Sequence, residues 1–412
     1  MKVRHSPFNA GVLTGSTDGA ATVESAFSLD TKRLLTPPRS LSSRTIVPAR
    51  PRLRMVILGP SLTSSLGNGA ASTYRGLVRE LAARGHEVLF LQRRGEESAG
   101  QKMQAVDAVR VEAYSGLKEL KNRHAAALRD ADFVLVASQI TDAAGIGDWV
   151  TRHAQGVTAF YDLNTADTLA SLGQNGHGSG SAALISRFNL YLSFAGGPLL
   201  DQLEDKLGLP MARPLYPAVD ARLFFPEYSR QTWDLGFIGR HSNDCLPALE
   251  RLLLEPARRW NEGRFIVAGS SYPRSLRWPA NVKRVAQISA PKRRTFYNSQ
   301  RFTLDLMPPD PLGMGYSPSV RLFEAAACGT PVITEFWPGL DTFFTPDEEI
   351  LVSHSADETL IYLEEISELD RRCLGYRARE RVLARHTTRH RAAELESYIL
   401  ELLRSATTNS PG

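Results

Sequence analysis

The sequence predicts an α/β fold built as two Rossmann-like domains facing a cleft. Its apolar runs are short and continuous rather than alternating, as in Phe133-Val134-Leu135-Val136-Ala137 and Phe265-Ile266-Val267-Ala268. Such runs mark parallel strands covered on both faces. They alternate with segments of helical spacing. The strand-loop-helix-strand pattern also starts twice, near Arg54 and again near Asp234, on either side of a segment with four prolines at residues 210–226. At 412 residues the chain exceeds one ordinary core, so two domains are expected.

Composition narrows the class. With 42% hydrophobic and 23% charged residues the chain reads as soluble and globular. A net charge of +5 is a mild excess that suits phosphorylated substrates and is weaker than nucleic-acid binders show, so no nucleic-acid partner is expected. The basic residues at 371–391 alternate with Leu, Val and Ala on a helical period and read as a solvated helix face. Cys245, Cys328 and Cys373 are isolated, without CxxC spacing, which argues against disulfides and zinc and for a cytoplasmic protein. No window holds the roughly 18 apolar residues of a membrane helix. Residues 1–53 lack the apolar stretch of a secretory signal and read as a disordered leader; residues 405–412 read as a disordered tail.

In the first domain, residues 54–212, the strand Met55-Val56-Ile57-Leu58 leads into a loop carrying Gly67, Asn68 and Gly69, then a helix over 74–84 and the strand Val88-Leu89-Phe90-Leu91. The loop lacks GxGxxG, so a dinucleotide fingerprint is not supported. Strands follow at 133–137 and 157–161, a glycine-rich surface loop at 173–180, and a strand ending at Gly196-Gly197-Pro198. The second domain, residues 216–384, opens with Asp234-Leu235-Gly236-Phe237-Ile238-Gly239, a helix over 246–260 and a strand over 264–269. Residues 385–404 form a last helix that packs back on the first domain.

Residues 302–336 concentrate the chemistry. The strand Phe302-Thr303-Leu304-Asp305-Leu306-Met307 runs into a loop of Pro and Gly. Ser317 is placed to cap a helix with Pro318 in its first position, the helix spans 319–328, and Gly329 suits a left-handed end. Such a unit points a helix N-terminus at the sheet edge where α/β proteins bind ligands, and it favours an anion. Glu324 sits in an apolar stretch, which is costly unless it is paired; it is placed either to hold a nucleotide ribose or on an exposed face beside Arg321 at i−3. Gly239-Arg240 closes a strand with a guanidinium suited to pyrophosphate. Gly313 and Gly315 permit close approach of backbone amides to phosphates, or merely shape their loop. Gly67-Asn68-Gly69 is an acceptor-side cleft loop or a plain turn. Asp162, following Tyr161, is a candidate general base or acceptor ligand, or else a helix cap. His86 and His177 read as turn residues.

The run Ser319-Val320-Arg321-Leu322-Phe323-Glu324-Ala325-Ala326-Ala327-Cys328-Gly329-Thr330-Pro331-Val332-Ile333 resembles the donor-site signature of GT-B glycosyltransferases, and within them the CgeB-like spore-maturation group. Tyr161-Asp162-Leu163-Asn164-Thr165, Leu192-Ser193-Phe194-Ala195-Gly196-Gly197, Leu235-Gly236-Phe237-Ile238-Gly239-Arg240 and Arg381-Val382-Leu383-Ala384-Arg385-His386-Thr387 are similar to other segments of that group, over roughly 54–400. The resemblance implies a GT-B arrangement, with acceptor held by the first domain and donor by the second. It implies that Glu324 matches the second glutamate of an E-x7-E pair and binds the donor ribose. The first glutamate, which contacts the transferred sugar, falls at Tyr316. Arg240 matches a pyrophosphate-binding arginine, and Arg321 supplies the charge of a lysine absent here. The expected reaction is glycosyl transfer from a UDP-, GDP- or dTDP-sugar to an acceptor hydroxyl or related nucleophile. No cofactor is expected, and no metal, since no DxD stands at a strand end. A nucleotide-sugar epimerase and a non-catalytic sugar-nucleotide-binding protein are the alternatives.

Overall fold

The structure, a computed structural model, describes residues 51–62, 69–95, 106, 108–165, 168, 182–239, 242–307 and 316–408. Seven strands come first: β1 (Arg54–Leu58), β2 (Glu87–Arg93), β3 (Val109–Tyr114), β4 (Phe133–Ala137), β5 (Val157–Asp162), β6 (Leu190–Ser193) and β7 (Ala212–Pro214). They form one sheet in the order β3-β2-β1-β4-β5-β6-β7. Six more follow: β8 (Trp233–Ile238), β9 (Phe265–Ala268), β10 (Val282–Val285), β11 (Gln300–Asp305), β12 (Val332–Thr334) and β13 (Leu351–Val352). Their order is β10-β9-β8-β11-β12-β13, and every pairing in both sheets is parallel. Two doubly wound halves repeat one plan.

The apolar runs explain the layering. All five residues of β4 are buried, which an alternating strand would not allow. The Gly69–Ala83 helix buries Tyr74, Leu77, Val78 and Leu81 at helical spacing and lays them on the first sheet. In the second domain the helix expected at 246–260 is continuous but contains a π-helical turn, Glu250–Leu254, between Leu246–Leu249 and Glu255–Arg259. Pro256 accounts for it: without an N–H it cannot donate within an α-helical ladder, and the chain widens just before it.

The chain crosses between the sheets twice, and the two crossings lie side by side. Val219 N donates to His386 O at 3.1 Å, and Thr388 N donates to Val219 O at 3.0 Å. Beyond the second crossing the Thr388–Thr408 helix returns to the first core, where Ala392, Leu395 and Ile399 are buried. It lies close to the Gly69–Ala83 helix because Gly76 has no side chain; a methyl there would stand 2.4 Å from Thr388 Cγ2. Arg84 Nε donates to Glu396 Oε2 at 2.7 Å within this seam. The basic run at 371–391 departs from a uniformly solvated face. Arg371 and Arg391 are buried, because each finds a carboxylate and carbonyl acceptors, Arg371 on Glu368 and Arg301 O, Arg391 on Glu394 and Tyr216 O.

His386 belongs to the second core. Its ring stacks on Phe323 with centroids 4.9 Å apart, and Arg391 Nη2 donates to its Nδ1 at 3.0 Å. Burial, followed by the charge of Arg391, pushes its pKa down to about 3. An unfolded chain would protonate this imidazole near pH 6.5 and the folded chain does not until about 3, so the unfolded state binds more protons in between. Stability is therefore lost as pH falls through that window, by up to about 1.4 kcal/mol per pH unit. Urea unfolding at pH 7, 6 and 5 should show this slope, and it should flatten in His386→Phe; equal slopes in the two proteins would refute the assignment. In the same assay Arg84→Met should cost about 3 kcal/mol, since it leaves the Glu396 carboxylate buried without its guanidinium.

Candidate functional site

In the second sheet the chain order reverses direction at β8 and β11, so the crevice for a ligand opens beyond the carboxyl ends of those strands. Arg321 closes that point from below. It lies on the first turn of the Val320–Ala327 helix; Nη1 donates to Ile238 O at 2.7 Å, and Nε donates to Ser319 Oγ at 3.1 Å. The same guanidinium stands 3.7 Å from Asp305, the last residue of β11. Asp305 is buried and its Oδ2 has no hydrogen-bond partner among the described residues. Burial pushes the Asp305 carboxyl up, and Arg321 and Ser319 pull it down.

Ser319, rather than Ser317, caps this helix, accepting from Arg321 N at 3.1 Å. Its hydroxyl also holds the Arg321 side chain, so two donors select it over the serine two residues earlier. Gly239 follows β8 and lies against the same guanidinium; a methyl on it would stand 2.8 Å from Arg321 Nη1 and 2.5 Å from the Phe237 ring. Only glycine permits that approach. Tyr272 OH donates to Gly239 O at 3.0 Å.

Glu324 is not on an exposed face and does not pair with Arg321. It is 1% exposed, stands 3.0 Å from Arg293 Nη2, and accepts from Tyr297 OH at 3.2 Å. Burial pushes its pKa up; Arg293 and Tyr297 work against that shift. Arg293 is itself buried, with Nε unpartnered among the described residues, and its charge acts on Arg75 of the first domain. Burial, then the Arg293 charge, lowers the Arg75 pKa, and Arg75 has no ion-pair partner among the described residues. Asp305, Arg293, Tyr297 and Arg75 escaped sequence reading. An acid closing an apolar strand, and Arg293 and Tyr297 at i, i+4 spacing, were the available signals.

Asp162 closes β5 and is buried, with Oδ2 accepting from Tyr191 OH at 2.6 Å and Oδ1 accepting from Asn164 N at 3.0 Å. It caps the turn after its strand through a two-residue side-chain bond. Tyr316 joins the domains. Its N donates to Pro338 O at 2.8 Å and its O accepts from Gly196 N at 3.1 Å. Its ring fills the space between Gly197 and Gly339, where added methyls would stand 2.2 and 2.3 Å from ring atoms. Gly69 opens the first helix. Gly67, Asn68, Arg240, Gly313 and Gly315 lie outside the described residues, as do His177 and the leader at 1–50.

Comparison with solved structures gives this arrangement its place. A sucrose-phosphate synthase from Thermosynechococcus elongatus superposes with a TM-score of 0.63 at 15% identity, over 86% of this chain and 100% of that one. The fold is GT-B. The Anabaena protein Alr3699/HepE, solved with UDP and glucose, gives a TM-score of 0.61 at 12% identity over 86% of this chain and 100% of its own. An alpha-glucosyltransferase solved with UDP-glucose and DNA containing an abasic site gives 0.63 at 11%, over 85% and 100%. Residues 240–397 match the family model described as glycosyl transferase-like, and that span carries Asp305, Ser319, Arg321 and Glu324. No curated protein matches the chain in sequence. Among the described residues no helix is long and apolar enough to cross a membrane.

The GT-B domains meet where Tyr316 fits between its two glycines, and that contact is open to test. Gly197 has φ +67 and ψ −156, a region closed to other residues. Gly197→Ala should lower stability by about 1–3 kcal/mol through backbone strain and ring overlap. Adding Tyr316→Ala should recover the overlap portion but not the strain, so a thermal-melt comparison of single and double variants separates the two. Strictly additive losses would contradict the contact.

Proposed function

We propose that the protein is a glycosyltransferase of the CgeB-like group, moving a sugar from a nucleotide-activated donor to an acceptor hydroxyl or related nucleophile without a metal ion. The observation that carries this reading is Arg321, fixed at the β8–β11 crevice by Ile238 O and Ser319 inside the segment that matches the glycosyl transferase-like family. When the bond between sugar and diphosphate breaks, negative charge gathers on the departing oxygen. A guanidinium already held in place and the N-terminus of the Val320–Ala327 helix meet that charge without reorganising. Arg240, next to Gly239 in sequence, adds a second guanidinium in this reading, and Gly315 lets the loop ahead of the helix approach phosphate.

Glu324 is the ribose ligand in this reading, and Arg293 is its partner until the nucleotide arrives. Exchanging a guanidinium for ribose hydroxyls keeps the buried carboxylate hydrogen-bonded. On the acceptor side, this reading keeps Gly67, Asn68 and Gly69 as acceptor contacts, and Asp162 anchors the turn after β5. All three cysteines are free, which suits the cytoplasm. The hexosyl donors to try first are UDP-sugars, because neighbours of the same fold were solved with UDP or UDP-glucose. DNA joins the acceptor panel because one neighbour was solved with it.

Thermal-shift titration with UDP, GDP, dTDP and their parent sugars tests the donor site. One base should stabilise the wild type, by about 2.7 kcal/mol at a hundredfold excess over Kd. Arg321→Lys keeps the charge but loses the fork, and Glu324→Gln loses the ribose carboxylate, so each should weaken binding roughly tenfold. Turnover should then appear only with an acceptor. Turnover of donor alone would indicate an epimerase, binding without turnover a sugar-nucleotide-binding protein, and no shift with any nucleotide would remove the donor site.

A further inference from the structure

A guanidinium carries five N–H hydrogens, and those of Arg321 can be followed one by one. Nε–H goes to Ser319 Oγ at 3.1 Å, one Nη1 hydrogen to Ile238 O at 2.7 Å, and one Nη2 hydrogen to Leu306 O at 3.5 Å. Each terminal nitrogen keeps a second hydrogen with no acceptor among the described residues. The side chain is 28% exposed, so this free pair forms a fork of the kind that takes phosphate oxygens.

Behind the fork lies Asp305, at the end of β11, too deeply buried to touch a ligand itself. Ser319 stands between the two side chains. Its oxygen accepts from Arg321 N and Nε, and its hydroxyl is hydrogen-bonded to the Asp305 carboxyl, so the donor and both acceptor positions are used. Asp305 Oδ1 is 3.7 Å from Arg321 Nε, and no other described carboxylate pairs with that guanidinium, since Glu324 faces Arg293. Burial favours the neutral acid; the Arg321 charge, then the Ser319 bond, favour the carboxylate. Asp305 Oδ2 and the hydroxyl of Thr334, its register partner on β12, lack partners among the described residues. A charge kept in so unfavourable a place has to act on its one ionic neighbour.

We propose that Asp305 is a positioning residue that limits how tightly Arg321 holds phosphate, its carboxylate drawing part of the guanidinium charge away from the crevice. The role rests on the glycosyl-transfer reading, in which a nucleoside diphosphate must leave once the sugar has moved. Product departure limits turnover in many enzymes, and a fork with no counter-charge behind it would delay that departure. Asp305 thereby trades ground-state affinity for release.

Calorimetric titration of the full chain with inorganic pyrophosphate, then with UDP, GDP and dTDP, tests this role. The proteins are wild type, Asp305→Asn, Arg321→Gln and the double variant, each at low and high salt. Asp305→Asn keeps the size of the side chain and an oxygen for Ser319, and removes only the charge. Pyrophosphate should bind it roughly tenfold more tightly than wild type. That gain should shrink as salt rises and be absent when Arg321 is Gln. Asp305→Ser, smaller but equally uncharged, should show the same gain. A residue that only supported the fold would weaken binding when replaced, never strengthen it. Affinity unchanged or reduced in both variants, an equal gain without Arg321, or failure of both to fold overturns the role of Asp305 and leaves the transfer reading standing. If wild type and Asp305→Asn alike bind neither pyrophosphate nor any nucleotide, the donor crevice and this role are overturned together.

Discussion

Arg391 sits where the chain passes between its two sheets, and much of the geometry depends on how its guanidinium is held. A buried cation survives only with its charge matched and its donors used. Glu394, one turn along the same helix, matches the charge, and Tyr216 O and His386 Nδ1 take donors from segments far apart in sequence. The final helix is thereby tied to the first crossing, and the His386 ring is fixed in one tautomer. That ring stacks on Phe323, which lies between Arg321 and Glu324 on the Val320–Ala327 helix. The crossing segments and the Val320–Ala327 helix are thus joined through this pair of stacked rings.

The crevice carries two buried carboxylates. Asp305 and Glu324 are buried carboxylates whose pKa values burial pushes upward. Arg321 and Arg293 offset this, each beside its own acid. Arg75 reaches the same region from the first domain and adds a positive charge with no described carboxylate beside it. Guanidiniums thus outnumber carboxylates by one across Arg75, Arg293, Arg321, Asp305 and Glu324. One positive charge is left over among these five residues, which in the proposed reading favours an anionic ligand over a neutral one.

The fold was legible in the sequence because its signals are local. Continuous apolar runs, Gly85 and Gly329 at helix ends, and the restart after the proline-rich segment each follow from backbone physics within a few residues. The site was legible only in part. Ser319 and Arg321 announced themselves through a helix start next to a strand end. The partner of Glu324 did not, because Arg293 lies 31 positions away and reaches it through the third dimension alone. Helical spacing favoured Arg321 at i−3, but Arg321 turns instead toward Asp305 and two carbonyls at the strand ends. The cap moved from Ser317 to Ser319 because Ser319 Oγ accepts from both the Arg321 N–H and the Arg321 side chain, which outweighed the preference for Pro at the first helical position.

Tyr316, where the resemblance placed a sugar-binding glutamate, has a structural task of its own. A carboxylate at this position would face Gly197 and Gly339 across a space that an aromatic ring now fills, and it would need donors that neither glycine side can offer. The main chain of Tyr316 is used as fully as its ring, linked to Pro338 O within the second domain and to Gly196 N in the first. Its φ of +51 costs conformational energy that only such over-determined surroundings would sustain. The tyrosine stands three residues ahead of Ser319, so the contact between domains and the cap of the Val320–Ala327 helix lie on one short stretch of chain. The contact between the domains therefore borders the N-terminus of that helix more closely in sequence than it borders Glu324.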